Sequence, residues 1–220
     1  MAFSGFPLEA IQFYEELGAD NSRVFWADNK QRFEQLVKAP MTELTEALDD
    51  FGPFKMFRPH NDLRFSKNKP PYKTHQGAFG ELEGGSGYYM QFSAAGLMVG
   101  AGYYFMAKDQ LERFRAAVVA EDTGEEIEAL VADATQRRYT VAAIDELKTA
   151  PRGYDREHPR IELLRRKGLL LSKEFGSPKW LHTKQAEKRV RECWDGARDV
   201  CDWLDAHVGP STEPPGDRPF

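Results

Sequence analysis

Apolar positions near the amino terminus recur with a helical period. Residues 7–17 carry large apolar side chains three or four positions apart, which predicts a short helix. Asn21 or Ser22 can cap a longer helix that runs to about Leu48, because both side chains accept hydrogen bonds from helical amides. Pro40 lies inside this helix and should kink or divide it, since proline has no amide hydrogen. The chain therefore opens on a predicted helical region.

The period changes to two in the middle of the chain. Residues 57–65 alternate apolar and polar side chains, which is typical of a strand with one face in the core. The clearest hairpin joins residues 88–94 to residues 97–104. Gly100 and Gly102 fall on one face of its second strand, where the missing side chains would let a helix or a ligand approach closely.

Helical patterns return after the hairpin and occupy most of the remaining chain. They cover residues 108–120, 123–137 and 183–208, with a short helix opened by Pro159 and a strand at 169–175. Helical regions at both ends of a chain with clustered central strands favour an α+β fold. We expect a mainly antiparallel central sheet with helices packed against it.

The chain length suits a single domain with a short extension. We expect one α+β domain over residues 1–208, because 220 residues that are 41% hydrophobic are enough for one core. Residues 209–220 contain four prolines and predict a disordered tail.

The composition predicts a protein of a reducing, cytoplasmic compartment with no membrane partner. No stretch approaches the ~20 apolar residues of a membrane helix. Cys193 and Cys201 lie on one predicted helix, where their Cα atoms would be ~12 Å apart and beyond disulfide reach. Thiols that stay reduced are the rule in the cytoplasm.

Positive charge is concentrated in one segment of an acidic chain. The whole chain has a formal net charge of -5, whereas residues 55–73 sum to +5. Asp62 is the acid of this segment, and its bases are Lys55, Arg58, Arg64, Lys67, Lys69 and Lys73.

This segment is the leading candidate for a binding site. On the predicted strand, Arg58, Asp62 and Arg64 share a face with His60, with alternate side chains ~7 Å apart. Guanidinium groups suit phosphate or carboxylate, and a neighbouring carboxylate can hold one in position. The predicted ligand-binding residues here are Arg58, Asp62, Arg64, Lys67, Lys69, Tyr72 and Lys73. The alternative is an exposed edge strand whose lysines deter association between sheets.

A second basic segment at residues 147–168 can complete the site. Pro159 opens a predicted helix whose amide groups favour an anion, and Tyr154 and His158 precede it. If this segment faces the first one, Tyr154 and His158 would close the opposite side of a pocket. The alternative is a surface loop and helix whose arginines are neutralised by Asp155, Glu157 and Glu162.

Familiar catalytic patterns are missing from the sequence. It contains no Walker A loop, no strand followed by G-x-G-x-x-G and no G-x-S-x-G elbow. His60 and Asp62 are too few to predict a metal site. The sequence identifies no cofactor and gives no indication of the oligomeric state. In an enzyme, His158 or Asp62 would be the candidate for proton transfer.

The motifs above resemble an uncharacterised family, the domain-of-unknown-function family 2461. Residues 61–73 read N-D-L-R-F-S-K-N-K-P-P-Y-K, close to the family's R-D-x-R-F-S-x-D-K-x-P-Y-K. Further signatures match Phe25-Trp26 with Asn29-Lys30, Gly87-Tyr88-Tyr89, and Leu147 through Pro159. Together these motifs are specific, and the resemblance covers roughly residues 3–208. It implies the domain and the motif positions, but no activity.

Two departures from the family motif lower the charge density of the site. Asn61 stands where arginine is usual and Asn68 where aspartate is usual. An acidic or metal-binding role at position 68 is therefore not expected.

Three hypotheses of function follow from the sequence. The first is a binding site, or an active site, for a phosphorylated or otherwise anionic small ligand. The second is a non-catalytic module that docks its basic segment on nucleic acid or on an acidic protein, although an acidic chain does not favour nucleic acid. In the third, the basic residues pair with acids of the same chain and bind no ligand.

Overall fold

The computed structural model describes residues 3–64 and 69–213 and confirms the α+β class. The strands are β1 (Phe54–Met56), β2 (His75–Glu81), β3 (Gly87–Ser93), β4 (Gly96–Tyr103), β5 (Thr140–Ala142) and β6 (Leu169–Gly176). In the described residues these six strands form one antiparallel sheet in the order β1-β2-β3-β4-β6-β5. Phe54 lies opposite Gly80 in the β1–β2 pair, and Thr140 lies opposite Ser172 in the β5–β6 pair.

Helices precede and follow the strands, as predicted. They are α1 (Glu9–Ala19), α2 (Arg23–Phe33), α3 (Ala39–Ala47), α4 (Lys108–Val119), α5 (Glu121–Gln136), α6 (Ile161–Arg165), α7 (Gln185–Asp195) and α8 (Arg198–His207). Within the described ranges, none of them combines the length and apolarity that crossing a bilayer requires.

Both long predicted helices are divided. A π-helical turn at Glu34–Lys38 separates α2 from α3, and it ends just before Pro40. Because proline cannot donate a hydrogen bond to the preceding turn, a wider turn there leaves room for its ring. Ser22 caps α2 as predicted, since its Oγ accepts from the Phe25 amide at 3.0 Å. The carboxyl-terminal helix is interrupted between α7 and α8 by a turn that contains Gly196.

The chain divides into two compact units, each with its own core. Unit 1 comprises residues 1–81, 88–99 and 174–193, and unit 2 comprises residues 82–87, 100–173 and 194–220. In unit 1 the Phe6 and Phe92 rings stack with centroids 4.3 Å apart, and α1 buries Phe13, Tyr14 and Leu17. In unit 2 the Phe114 and Trp203 rings meet edge to face with centroids 6.2 Å apart. Aromatic packing of this kind supplies much of each core.

Backbone, not a helix or a ligand, approaches the glycines of β4. Gly102 has φ +122°, and a side chain there would collide with the carbonyl oxygen of Leu169 in β6. Gly100 likewise faces the Leu171 carbonyl. The missing side chains therefore serve strand pairing, and the predicted approach of a helix or ligand is wrong.

The start of the predicted tail is held by α4. Gln110 Nε2 donates to the Gly209 carbonyl at 2.8 Å, and Arg113 Nη2 donates to the Pro210 carbonyl at 2.8 Å. Asp109 accepts a hydrogen bond of 2.7 Å from the Ser211 hydroxyl. The prediction of disorder for residues 214–220 lies outside the described residues.

Candidate functional site

Residues 57–64 and 69–73 of unit 1, here called the basic loop, form an irregular connection between β1 and β2. The predicted strand over residues 57–65 is wrong, because β1 ends at Met56. The two arms of the loop make one isolated bridge, His60 to Tyr72, with the Lys73 amide donating to the Pro59 carbonyl at 2.7 Å. Three prolines in the loop lack amide hydrogens, so a continuous ladder cannot form.

Asn21 and Trp26 anchor the loop through Tyr72. The Asn21 side chain accepts from the Tyr72 amide at 2.9 Å and donates to the Tyr72 carbonyl at 3.0 Å. The indole of Trp26 stacks on the Tyr72 ring with centroids 4.3 Å apart and planes 10° from parallel. Tyr72 is buried in this contact. It therefore positions the loop and does not present a ring face to a ligand.

Arg58 and Arg64 converge on one carboxylate. Arg64 Nη2 donates to Asp62 Oδ2 at 2.6 Å, and the Arg64 amide donates to Asp62 Oδ1 at 3.0 Å. Arg58 Nη2 lies 3.8 Å from Asp62 Oδ2, beyond hydrogen-bonding distance. The Arg58 and Arg64 side chains are 68% and 77% exposed. The predicted row along a strand is thus replaced by a turn that gathers both guanidinium groups around Asp62.

Asp62 stays ionised because of these contacts. Hydrogen bonds from the Arg64 side chain and amide hold its pKa well below the usual range for aspartate, with a smaller contribution from the charge of Arg58. A carboxylate of such low basicity is a poor acceptor for a proton. Asp62 is therefore suited to positioning arginine and not to the proton transfer considered from the sequence.

The lysines extend the positive surface. Lys69 is exposed, and Lys73 is half-buried with its Nζ 5.3 Å from the centroid of the Phe57 ring. Burial and the charge of Arg58 lower the pKa of Lys73, and burial and the charge of Lys73 lower the pKa of His75. These groups thus feel one another's charge. Lys67 lies outside the described residues.

The second basic segment belongs to unit 2 and has no open helix terminus. The predicted helix start at Pro159 is wrong, because α6 begins at Ile161 and has only five residues. His158 Nδ1 accepts a hydrogen bond of 3.0 Å from the Arg160 amide, which occupies a donor that an anion would need. Tyr154 is half-buried. Since the basic loop belongs to unit 1, a pocket shared with Tyr154 and His158 stays a prediction.

Ion pairs neutralise the end of the second segment. The Arg160–Glu128 and Arg165–Glu162 pairs are both 3.1 Å long. Lys167 lies 2.5 Å from Asp145, and Arg166 lies 3.6 Å from Glu146. This favours the alternative of a neutralised surface for the late arginines, although of the three acids predicted from the sequence only Glu162 takes part.

Comparison with known proteins identifies the family. The model of a family described as conserved hypothetical protein (DUF2461) matches residues 9–203. The chain belongs to the DUF2461 family. No curated protein and no solved structure matches it. Because the DUF2461 description names no reaction, function has to be argued from the geometry of the site.

The DUF2461 motif residues have two different roles in this structure. Arg58, Asp62 and Arg64 form the exposed charged turn, whereas Trp26 and Tyr72 form the buried anchor beneath it. Sequence reasoning missed Asn21 and Trp26, because their contacts with Tyr72 join residues about 50 positions apart. Within the described residues, this DUF2461 chain has no group of three or more His, Cys, Asp or Glu side chains that could hold a metal ion.

Proposed function

We propose that this protein binds a phosphorylated or otherwise anionic small ligand on the basic loop of unit 1. One observation carries the proposal: Arg58 and Arg64 converge on Asp62, and both guanidinium groups are exposed by two thirds or more. Arginines held this way present fork-shaped donors with little ordering left to do when a ligand arrives.

The balance of charge supports an anion. The described part of the segment presents Lys55, Arg58, Arg64, Lys69 and Lys73 against Asp62 alone. Asp62 already binds Arg64 through two side-chain nitrogens, whereas its distance of 3.8 Å from Arg58 leaves that guanidinium able to turn towards a ligand. Arg58 is therefore the first contact that we assign to the anion, with Lys69 and Lys73 beside it.

A cytoplasmic setting belongs to the same proposal. The two cysteines are buried, reduced thiols, which is the ordinary state of cysteine in the cytoplasm. Transfer of a proton to or from the ligand is not part of the proposal, because Asp62 is too weakly basic to accept one.

The exposure of the arginines also supports a second candidate, a docking surface for nucleic acid or an acidic protein. Salt distinguishes the two, because release of counterions makes polyanion binding fall steeply with ionic strength. A single small anion held by an arginine fork should lose much less affinity between 50 and 200 mM salt.

A thermal-shift titration tests the proposal. We expect inorganic phosphate, pyrophosphate or a nucleoside monophosphate to raise the melting temperature, since a ligand at 100 times its Kd adds about 2.7 kcal/mol. Arg58→Gln should weaken binding roughly tenfold, the size of one charged hydrogen bond. The matched control is Arg189→Gln on α7, whose side chain is 52% exposed and 3.4 Å from Glu192.

The outcomes separate the candidates. Weaker binding by Arg58→Gln and unchanged binding by Arg189→Gln support the proposal. Equal binding by both variants, or no stabilisation by any small anion, contradicts it. Stabilisation only by a short oligonucleotide, lost at 200 mM salt, favours the docking surface.

A further inference from the structure

Lys73 has an unusual environment for a lysine. Its side chain is half-buried, and its Nζ lies 5.3 Å from the centroid of the Phe57 ring. Within residues 3–64 and 69–213, no carboxylate forms a salt bridge with it. By contrast, Lys38 of the same unit lies 2.7 Å from Glu34. A paired amine is held in its charged form, and Lys73 has no such partner.

The charges around Lys73 favour its neutral form. Burial is the main cause that lowers its pKa, and the charge of Arg58 lowers it further. The Phe57 ring attracts an ammonium group and acts in the opposite sense, but the net direction is downward. A larger fraction of this amine is therefore unprotonated at neutral pH than of an exposed lysine. Desolvation and a neighbouring cation are the two standard means of making a lysine nucleophilic.

We propose that Lys73 forms a reversible Schiff base with the carbonyl group of an anionic ligand, an inference that rests on the proposed anion binding by the basic loop. Arg58 has two effects in this arrangement. It binds the phosphate or carboxylate of the ligand, and its charge keeps the neighbouring amine neutral. The ligand class is an aldehyde or ketone that carries an anionic group.

The chemistry needs no further reactant. The lone pair of the neutral Lys73 amine attacks the carbonyl carbon, a C–N bond forms and the carbonyl π electrons move to oxygen. The two hydrogens of the amine leave with that oxygen as water, and the product is an imine. No atom is oxidised or reduced, and hydrolysis reverses the reaction.

Reductive trapping with pyridoxal 5′-phosphate, an aldehyde that carries a phosphate, tests the inference. The full chain is incubated with this probe at pH 7, reduced with borohydride, digested and mapped by mass spectrometry. We expect Lys73 to be labelled roughly tenfold more than exposed Lys55, which corresponds to a pKa about one unit lower. Inorganic phosphate should protect Lys73, and pyridoxal without its phosphate should label it less.

Variants separate the amine from the charge. Lys73→Arg keeps the positive charge, so it should abolish labelling at this position while phosphate still raises the melting temperature. Lys55→Arg is the matched control and should leave labelling of Lys73 unchanged. Arg58→Gln should reduce labelling, because it removes both the anion contact and the charge that lowers the pKa of Lys73.

The results distinguish this inference from the function on which it rests. Labelling spread evenly over Lys55, Lys69 and Lys73, with phosphate still stabilising the protein, overturns the Schiff base and leaves anion binding intact. Selective labelling of Lys73 that phosphate does not block, and that pyridoxal equals, overturns the anionic ligand and the proposed function with it. Because competition by phosphate uses the wild-type chain, the test survives a variant that fails to fold.

Discussion

Asn21 fixes the position of the basic loop by its backbone. Its side chain accepts from the Tyr72 amide at 2.9 Å and donates to the Tyr72 carbonyl at 3.0 Å. We expect Asn21→Ala to lower the free energy of unfolding by about 1–3 kcal/mol, because it leaves partly buried backbone groups without partners. Urea denaturation measures this loss.

A second asparagine provides the control for this prediction. Asn29 donates to the Phe25 carbonyl at 2.9 Å within α2, a carbonyl that the helix already serves. Asn29→Ala should therefore cost less than Asn21→Ala. Equal losses for the two variants would show that the side chain of Asn21 is not an anchor.

At the scale of a single side chain, the sequence predicted charge better than it predicted contact. It located Arg58, Asp62 and Arg64, because charge is a property of residue type. It assigned Tyr72 to the ligand, although the indole of Trp26 covers its ring. Stacking between residues far apart in the chain leaves no local signal, so burial of Tyr72 could not be derived from its neighbours.

At the scale of the element, local period decided which predictions succeeded. The hairpin of β3 and β4 was predicted correctly because its apolar run and turn residues are all local. The strand over residues 57–65 failed because alternation alone ignores where the amide hydrogens go, and proline supplies none. Strand β2 was not predicted, since consecutive residues 76–78 are all buried and show no alternation.

The first residue of β2 gives an element-level prediction about acid. Burial and the charge of Lys73 lower the pKa of His75 below its ordinary value in the folded chain. The unfolded chain therefore binds a proton near pH 6.5 that the folded chain does not, and stability falls as the pH drops below that value. We expect His75→Gln to lose less stability than the wild type between pH 7 and pH 5.

Urea denaturation at several pH values in this window measures the difference. His60→Gln is the control, because His60 is exposed on the basic loop and its replacement should leave the slope of stability against pH near that of the wild type. Parallel curves for wild type and His75→Gln would contradict the prediction.

At the scale of the whole molecule, contacts between distant parts of the chain were beyond sequence reasoning. In unit 2, Asp205 Oδ1 accepts hydrogen bonds from the Ser86 amide at 2.9 Å, the Ser86 hydroxyl at 2.8 Å and the Tyr103 hydroxyl at 3.0 Å. Ser86 and Asp205 are 119 positions apart. Residues 84–87 read only as a flexible glycine-rich turn, although this carboxylate fixes them to α8.

Removal of that carboxylate should destabilise unit 2 more than any surface substitution in it. Asp205→Ala leaves three donors around the buried Ser86 without an acceptor, and each such group costs about 1–3 kcal/mol, so we expect a loss of about 3–5 kcal/mol. Asp205→Asn retains one side-chain oxygen and should lose less. Asp202→Ala, an exposed aspartate on the same helix, is the matched control and should stay within about 0.5 kcal/mol of the wild type. Denaturation followed by the fluorescence of Trp203, which lies on α8, measures the three variants, and a loss for Asp205→Ala as small as that of the control would mean that water replaces the carboxylate at little cost.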